Sequence, residues 1–375
     1  MTIQRSSRQV LITSLGFTLA YMVLAIPIVS IGIGQALGYV NIFAALPLVT
    51  VYGLVPIFER LWPYGIQPLP FERWNAPGWQ FYYRALLWLS FPIQLGMLYV
   101  ALHYWSLDLL NVWSRVAYVL SVGVFSAAFA ITIGHELIHH PQPVDRALGG
   151  VLLSTVCFGT YKIVHIRVHH RHVCTPTDFA TAQKGQSIYS FWWANIVQNV
   201  AAALRCEQED LVKKGQSFWQ SELWYWTLLS VLWFTIAFSL FGRRGALFFG
   251  LQSLVAILKL HWTNYLQHYG LTRKKNKGHY EPVQHHHAWS VGLFIHDLAI
   301  FNSLRHGDHH VNPQRPYPCL EHDDRMREYP YNYSIMYLLS LLPGAFQKVV
   351  HPYLDESDSD CCRWLARWEQ TRAYR

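Results

Sequence analysis

Charged residues are scarce in this chain, and the few that occur are unevenly spaced. Only 14% of the 375 residues are charged, against roughly 25% in typical soluble domains. Four stretches contain no charged residue at all, namely 9–58, 85–107, 116–134 and 223–242. A water-soluble domain does not leave gaps of this length, because its surface needs polar side chains. The sequence therefore predicts an integral membrane protein.

Paired cysteines are also absent, although the chain contains six cysteines. No two of them form a C-x-x-C pair, so the sequence encodes no thiolate site for iron. We place all six on the cytosolic side of the membrane, where disulfides are not expected. The chain also lacks a basic stripe with interleaved aromatic residues, which argues against nucleic acid as a partner. The six are Cys157, Cys174, Cys206, Cys319, Cys361 and Cys362.

The apolar stretches predict an all-α integral membrane fold with about six transmembrane helices, because one span needs about 20 mainly apolar residues. The first stretch exceeds the apolar region of a secretory signal, so we expect it to remain as an anchor. Lys259 lies near the end of the last span, where its long side chain is expected to extend toward the lipid headgroups. The spans are predicted near 11–33, 38–58, 82–104, 114–134, 223–242 and 245–263.

The remaining residues, 135–222 and 264–375, are predicted to form a helical cap, and residues 1–375 a single domain. Lys and Arg concentrate in the cap, near the termini, as at Arg5, and between the second and third predicted spans, as at Arg60. Because cytoplasmic loops carry the excess of basic residues, we expect both termini and the cap to be cytosolic, at a bacterial inner membrane. The formal net charge of +8 then lies mostly on one face, which is suited to anionic lipid or an acidic protein partner.

Histidine is abundant, with 20 residues, and most of them cluster in the predicted cap. Neutral imidazole binds iron, copper, zinc and nickel, whereas magnesium and calcium prefer oxygen ligands. Nine clustered histidines are too many for one ion, but they suit two ions with four or five ligands each. The nine candidate ligands are His135 and His139, then His165, His169 and His170, then His268, and finally His306, His309 and His310.

The spacing within these clusters indicates how the rings are directed if the segments are α-helical. Residues four apart share a helix face, so His135 and His139 are predicted to point the same way, and so are His165 and His169. Adjacent residues diverge by about 100° on a helix with 3.6 residues per turn. His169 and His170 are therefore predicted to address two different ions, which favours a dinuclear metal centre.

Two other interpretations of the histidines are open at this point. Individual histidines could be solvated cap residues or satisfied core residues. In addition, residues 135–139 form the H-E-x-x-H motif of zinc metalloproteases, with Glu136 as the general base. A catalytic zinc ion has three protein ligands, however, so an intramembrane zinc protease leaves six or more of the clustered histidines without a role.

Taken together, the H-x-x-x-H, H-x-x-x-H-H and H-x-x-H-H boxes resemble those of the membrane fatty acid desaturase and hydroxylase superfamily. Within it, the segments 264–270 (NYLQHYG) and 304–313 (LRHGDHHVNP) resemble the membrane alkane 1-monooxygenases and the xylene monooxygenase hydroxylases. The similarity covers residues 130–350. Alkane enzymes commonly have Glu at the position of Gln267, where Gln is more similar to the xylene type.

This resemblance implies that the nine histidines hold two iron ions, as a non-haem di-iron centre. It implies a monooxygenase that uses O2 to hydroxylate the terminal methyl of an apolar hydrocarbon, either an alkane or the alkyl group of an aromatic compound. Electrons would come from a separate rubredoxin or ferredoxin-type reductase, since the chain contains no rubredoxin of its own. A fatty acid desaturase or a terminal-alkene-forming decarboxylase is the alternative within the same superfamily.

Three carboxylates near the boxes are candidates to accept hydrogen bonds from ligand imidazoles and so fix their orientation, namely Glu136, Asp178 and Asp308.

An apolar substrate is expected to enter from the bilayer into a tunnel between the spans. Bulky residues of the spans are candidates to set the length of this tunnel, namely Phe43, Tyr52, Trp88 and Phe125.

Overall fold

A computed structural model describes residues 7–355, and this part of the chain is mostly helical. Residues 1–6 and 356–375, which include Arg5, Cys361, Cys362 and the end of the predicted cap, lie outside the described residues. The elements are α1 (Ser7–Leu24), α2 (Ile26–Leu37), α3 (Val40–Phe43), α4 (Leu46–Val49), α5 (Val55–Leu61), α6 (Phe71–Trp74), α7 (Pro77–Ser106), α8 (Val112–Ser126), α9 (Ile133–His139), α10 (Pro143–Ser154), α11 (Thr160–Val164), α12 (His170–His172), α13 (Ile188–Lys214), α14 (Leu223–His268), β1 (Lys275–Asn276), β2 (His279–Tyr280), α15 (Phe294–Ala299), α16 (His306–Val311), α17 (Tyr333–Ser340) and α18 (Pro343–Asp355).

Three π-helical turns interrupt or extend these helices, at Thr50–Leu54, Ala127–Thr132 and His165–His169. The second joins α8 to α9 into one continuous helix that ends at the first histidine box. Short 3-10 turns occupy Phe218–Gln220, His285–His287 and Tyr317–Cys319.

Within residues 7–355, three helical stretches are long and apolar enough to cross a membrane: Gly78–Ser106, Val112–His139 and Leu223–His268. A fourth is obtained if α1 and α2, which are bent by 45° at their junction, form one span. These stretches agree with the predicted membrane character of the chain. The total of six spans stays a prediction.

The longest of these helices, α14, folds back on itself at Gly242. This residue has φ 63° and ψ −156°, which is not a helical conformation and is readily adopted only by glycine. The rings of Phe234 and Phe249 are 6.1 Å apart between centroids, whereas a straight helix would separate these residues by about 22 Å along its axis. Residues 223–241 and 243–268 are therefore two antiparallel arms, and the turn lies where the sequence separates two spans.

The segment predicted as a span at 38–58 is not a continuous helix. It consists of α3, α4, a π-helical turn and the start of α5. Pro47 and Pro56 lie within it, and proline lacks the N–H group that an uninterrupted helix requires. This segment is not among the three stretches that are long enough to span a bilayer.

The second arm of α14 packs closely on α8, and Gly123 makes the contact possible. A Cβ atom at Gly123 would lie 2.5 Å from Cβ of Val255 and 2.9 Å from the carbonyl oxygen of Gln252. The helix that starts with α8 continues into α9, which carries His135, and the second arm of α14 ends at His268. The close approach at Gly123 therefore fixes the relative positions of two histidine-bearing segments.

We expect Gly123→Ala to lower the thermal unfolding temperature, because the added methyl forces the second arm of α14 away from α8, at a cost of about 1–3 kcal/mol. Gly96→Ala is the matched control, since no atom lies within 4 Å of a Cβ placed there in α7. The control should be neutral or slightly stabilising, because alanine favours helix. Tryptophan fluorescence during heating in detergent measures both variants. Equal melting temperatures would contradict the packing argument.

Candidate metal centre

Four separate segments bring nine histidines together at the ends of the membrane helices. They form two adjoining groups, and the candidate ligand atoms within each group lie within 4.8 Å of one another. These nine are the candidate ligands that the sequence predicts. The first histidine group contains His135, His139, His165, His170 and His309, and the second histidine group contains His169, His268, His306 and His310.

The second box does not follow the α-helical spacing expected from the sequence. Residues His165–His169 form a π-helical turn, in which the backbone N–H of His170 donates to the carbonyl oxygen of His165. Because the repeat is five residues, His165 shares the first group with His170, while His169 belongs to the second group. The prediction that His165 and His169 point the same way is therefore wrong, although His169 and His170 do diverge. Single π turns inside α-helices occur frequently at functional sites.

The third box divides in the same manner. His306 and His310, four residues apart on α16, lie in the second group, while His309 lies in the first. The two groups approach each other through His170 and His310, whose ring centroids are 4.6 Å apart. Each adjacent pair of histidines thus contributes one ring to each group.

Hydrogen bonds alone cannot pair all the Nε2 atoms of the first group. Nε2 atoms of neighbouring rings lie 2.9–3.1 Å apart, and those of His165, His170 and His309 each have two such neighbours. An imidazole Nε2 has either one proton or one lone pair in the ring plane, so it cannot bond to both neighbours. A metal ion between the rings would accept all the lone pairs.

The second group has the same character. Nε2 of His306 lies 3.1 Å from that of His268 and 3.0 Å from that of His310. Nε2 of His169 is buried without a hydrogen-bond partner among the described residues. Ring nitrogens bonded to a metal at about 2.1 Å are roughly 3.0 Å apart at right angles and about 3.4 Å apart in a tetrahedron. The separations of neighbouring nitrogens are thus of the size expected for ligands of one metal ion.

Burial keeps the histidines of the cap in the form that binds metals. The pKa values of His165, His170, His306, His309 and His310 are held below the usual range, first by burial and then by repulsion between neighbouring rings. These imidazoles are therefore neutral near pH 7, with a lone pair available. Metal binding requires this neutral form.

Asp178 orients one ring of the second group. Its Oδ2 accepts a hydrogen bond from Nδ1 of His169 at 2.9 Å. The carboxylate is fixed in turn by the Thr181 hydroxyl at 2.7 Å and the Ala180 N–H at 3.1 Å. With Nδ1 bonded to Asp178, Nε2 of His169 is directed to the second group.

Glu136 and Asp308, the other two candidate carboxylates, bond to different partners. Oε1 of Glu136 accepts from the backbone N–H of Tyr317 at 3.0 Å and lies 3.4 Å from Nε2 of His140. Asp308 accepts from Arg315 at 2.8 Å, and also from Asn312 and the backbone of Glu321. The described contacts thus show Asp178, but neither of these two, bonded to a histidine of the groups.

Two contacts at the centre were not anticipated from the sequence. Nδ1 of His268 donates to the carbonyl oxygen of His287 at 3.1 Å, and Sγ of Cys174 lies 3.9 Å from the same Nδ1. The acceptor is a backbone atom on a distant 3-10 turn, so no residue type in the sequence signals it. The His287 carbonyl therefore orients the imidazole of His268, as Asp178 orients that of His169.

His140, directly after the first box, was also not selected from the sequence. Its Nδ1 bonds Asp145 at 2.9 Å, and Asp145 also pairs with Arg84 and Trp88. Burial opposes the charge on His140, but the bonds to Asp145 and Glu136 outweigh it and raise the pKa of His140 to about 9. This network connects α10 to α7 and to the first box, and the short spacing to Asp145 was the available sequence signal.

An apolar cavity between the helices reaches the histidine centre. Its volume is about 1160 Å³ including the open mouth, and His135 and His306, one ring from each group, lie in its wall. The π-helical turn at Ala127–Thr132 lines one side, and the second arm of α14 lines another. A hydrocarbon in this cavity would have access to both groups.

Of the four bulky residues proposed for a tunnel, Phe125 lies in the cavity wall. Tyr52 instead stacks on Trp262, with ring centroids 6.5 Å apart, and the indole N–H of Trp88 donates to Asp145. Phe43 faces Gly34 of α2. These three do not line this cavity, since their side chains pack between helices or join the cap network, and their tunnel role stays a prediction.

Comparison with known proteins identifies the class and then the family. Residues 111–339 match the fatty acid desaturase family. The chain is 37% identical to alkane 1-monooxygenase 2 of Pseudomonas aeruginosa, over 84% of this chain and 85% of that protein. It is 32% identical to alkane 1-monooxygenase 2 of Alcanivorax borkumensis over 90% of both chains. It is also 29% identical to the xylene/toluene monooxygenase hydroxylase component XylM of Pseudomonas putida over 64% of both.

The helical fold with its histidine centre is thus that of a membrane oxygenase within the desaturase class. More specifically, the chain belongs to the alkane monooxygenase family. It is an integral membrane, oxygen-dependent oxidoreductase, which confirms the resemblance found in the histidine boxes and favours an oxygenase over a zinc protease.

We expect Asp178→Asn to weaken metal binding at the second group by about tenfold or more, because the neutral amide holds the His169 ring less firmly. Asp308→Asn is the matched control, since Asp308 bonds Arg315 rather than a histidine of the groups. Metal content after dialysis against graded chelator measures both variants. A similar loss in both would show that the carboxylates act through the stability of the cap.

Proposed function

We propose that the nine histidines hold two iron ions and that the protein hydroxylates the terminal methyl of an apolar hydrocarbon, an alkane or the alkyl group of an aromatic compound. The observation that supports this most directly is the cavity, which is apolar and reaches one histidine of each group, His135 and His306. The names of the relatives, alkane and xylene/toluene monooxygenases, agree with such a substrate.

The overall reaction converts a terminal C–H bond and O2 into C–O–H and water, with two electrons from a separate protein and two protons. Two bound iron ions would supply the oxygen-activating and electron-accepting chemistry. The protein itself positions the substrate and the histidine rings. Apolar walls formed by residues such as Val124 and Ile131 exclude water and direct a methyl group to the histidine centre. Asp178 and the His287 carbonyl hold two of the rings in place.

The second box offers a sharp test because His169 and His170 are adjacent but lie in different groups, and His172 follows two residues later. We expect His170→Ala to remove iron from the first group and His169→Ala to remove it from the second, each with loss of product formation. His172→Ala is the control, since His172 is exposed and belongs to neither group. Iron per chain and incorporation of labelled oxygen from O2 are the measurements.

Two results would count against the proposal. Full iron content and turnover in both His169→Ala and His170→Ala would remove these rings from the centre. A product with a new C=C bond and no labelled oxygen would indicate the desaturase or decarboxylase alternative. The match of residues 111–339 to the fatty acid desaturase family is the reason for testing it.

We further propose that the cap lies on the cytosolic side of the inner membrane and receives electrons from an acidic rubredoxin or ferredoxin-type reductase. The basic hairpin, residues 273–280, is the favoured docking site. It is exposed at Lys274, Lys275 and Lys277. Its first residue, Arg273, donates its backbone N–H to the carbonyl oxygen of Cys174 at 2.8 Å, and Cys174 adjoins His268. An acidic protein bound here would lie close to the second group.

We expect the double variant Lys275→Glu/Lys277→Glu to raise the KM for reduced rubredoxin by about tenfold at low ionic strength, with the difference shrinking in high salt because exposed charges are screened. Lys213→Glu/Lys214→Glu reverses two exposed charges at the end of α13 and is the matched control. Steady-state kinetics at two salt concentrations measures both. An equal rise in KM in the control would show a response to net charge rather than to the hairpin.

A further inference from the structure

Tyr269, which directly follows His268 of the second group, is fully buried, and its hydroxyl group lies between two polar partners. The backbone N–H of Gly185 donates to the phenolic oxygen at 2.8 Å, so this partner cannot take the phenolic proton. Nε2 of His351 lies 3.0 Å from the same oxygen and, among the described residues, is the partner with a lone pair to offer. The Tyr269 hydroxyl therefore donates its hydrogen bond to an imidazole, which is a base.

Two other tyrosines near the second group donate to backbone carbonyls instead. The hydroxyl of Tyr265 donates to the carbonyl oxygen of Gln186 at 2.8 Å, and that of Tyr329 donates to the carbonyl oxygen of Leu266 at 2.6 Å. A carbonyl accepts a hydrogen bond but does not take the proton itself, whereas neutral histidine does. Oxidation of a phenol is much easier when its proton leaves at the same time. Tyr269 is thus equipped to give up an electron and a proton together, which Tyr265 and Tyr329 are not.

The helix α18 carries His351 and packs on the turn that follows Tyr269. Gly270 has φ 71°, and a Cβ placed there would lie 2.5 Å from Cδ1 of Leu354 in α18. The missing side chain at Gly270 therefore lets α18 come close enough to bring His351 to the phenol. The Phe346 ring of the same helix contacts the Tyr269 ring, with centroids 4.9 Å apart. Packing of α18 thus fixes the position of the tyrosine–histidine pair.

The backbone links Tyr269 directly to a candidate metal ligand. Nε2 of His268 lies 3.1 Å from Nε2 of His306 within the second group. The peptide bond between residues 268 and 269 is trans, which places their Cα atoms about 3.8 Å apart. An electron from the phenol therefore has a short covalent path to the second group. On the other side, His351 is half-buried, so the pair also adjoins the protein surface.

We propose that Tyr269 is a redox-active residue that donates one electron to the histidine centre, while its phenolic proton moves to His351, when oxygen is activated there without a hydrocarbon in the cavity. This inference rests on the proposed function and adds a protective activity to the same centre. His135 and His306 line the cavity, and an oxidant that finds no substrate would attack such rings. An electron from Tyr269 removes the oxidant first.

Electrons and protons balance for this side reaction. The separate reductant first supplies two electrons, and one oxygen atom leaves as water. The other atom is reduced to a second water by one electron from Tyr269 and one from the reductant, and each water takes two protons from solvent. A further electron from the reductant then restores the phenol as His351 returns the proton. The net change is the reduction of O2 to two water molecules by four electrons and four protons, and the protein is unchanged.

Electron paramagnetic resonance of the iron-loaded protein, frozen during reaction with O2 and reduced rubredoxin without hydrocarbon, tests this directly. We expect a tyrosyl radical in the parent protein that is lost in Tyr269→Phe. Tyr265→Phe is the matched control, because it removes the hydroxyl of a buried tyrosine one turn earlier that bonds a carbonyl, and it should keep the radical. A signal that persists in Tyr269→Phe, or that is absent from the parent, would overturn the proposal.

His351→Gln separates proton transfer from packing. Glutamine still accepts the hydrogen bond from Tyr269 but is not a base, so the radical yield should fall by about tenfold or more while the melting temperature stays that of the parent. His103→Gln makes the same change at an exposed histidine of α7 and should leave the radical yield unchanged. An unchanged yield in His351→Gln would show that the proton does not go to His351 and would overturn the proposal.

Damage to the histidine centre is a readout that does not depend on product. During incubation with O2 and reduced rubredoxin without hydrocarbon, Tyr269→Phe should accumulate oxidised histidine in the two groups several times faster than the parent, as measured by peptide mass spectrometry. Equal rates would contradict the protective role.

A parallel assay with decane distinguishes this inference from the proposed function. A parent protein that hydroxylates decane but forms no radical would refute the inference alone. A radical that depends on Tyr269 in a protein that hydroxylates no hydrocarbon would refute the proposed function alone.

Discussion

The convergence of nine imidazole lone pairs on two centres is the constraint on which the rest of this structure depends. The nitrogen atoms are buried and about 3 Å apart, and each has one proton or one lone pair to offer, so the rings cannot satisfy one another. Bound metal would supply what hydrogen bonds cannot. Because metal sites tolerate only small displacements, the segments that carry the rings have to be held firmly.

The protein holds these segments with close helix contacts in the membrane and with buried ion pairs in the cap. Gly123 lets α14 approach α8. In the cap, Arg305, the residue before His306, is buried and pairs with Asp297 at 2.6 Å while donating to two backbone carbonyls. Such charge-assisted bonds are short and directional. They fix the third histidine box against the loop around Ile66.

The cavity next to the histidine centre has mostly apolar walls. Apolar walls suit a hydrocarbon that concentrates in the bilayer, while His135 and His306 bring both groups to the same space. Lys259, which the sequence predicted to extend to the lipid headgroups, adds a basic side chain to a wall that is mostly apolar. The cavity thus combines an apolar volume with a histidine centre at a fixed position.

The sequence by itself determined the membrane character, the family and the identity of the clustered histidines. Charge gaps and histidine spacing are local patterns, so they are visible along the sequence without knowledge of the fold. It also located the turn between the arms of α14. Tertiary structure decided which histidine belongs to which group, since a π-helical turn at 165–169 changes the repeat from four residues to five. It also decided the partners of Glu136 and Asp308, the role of the His287 carbonyl and the position of Lys259, because contacts between distant segments leave no local pattern.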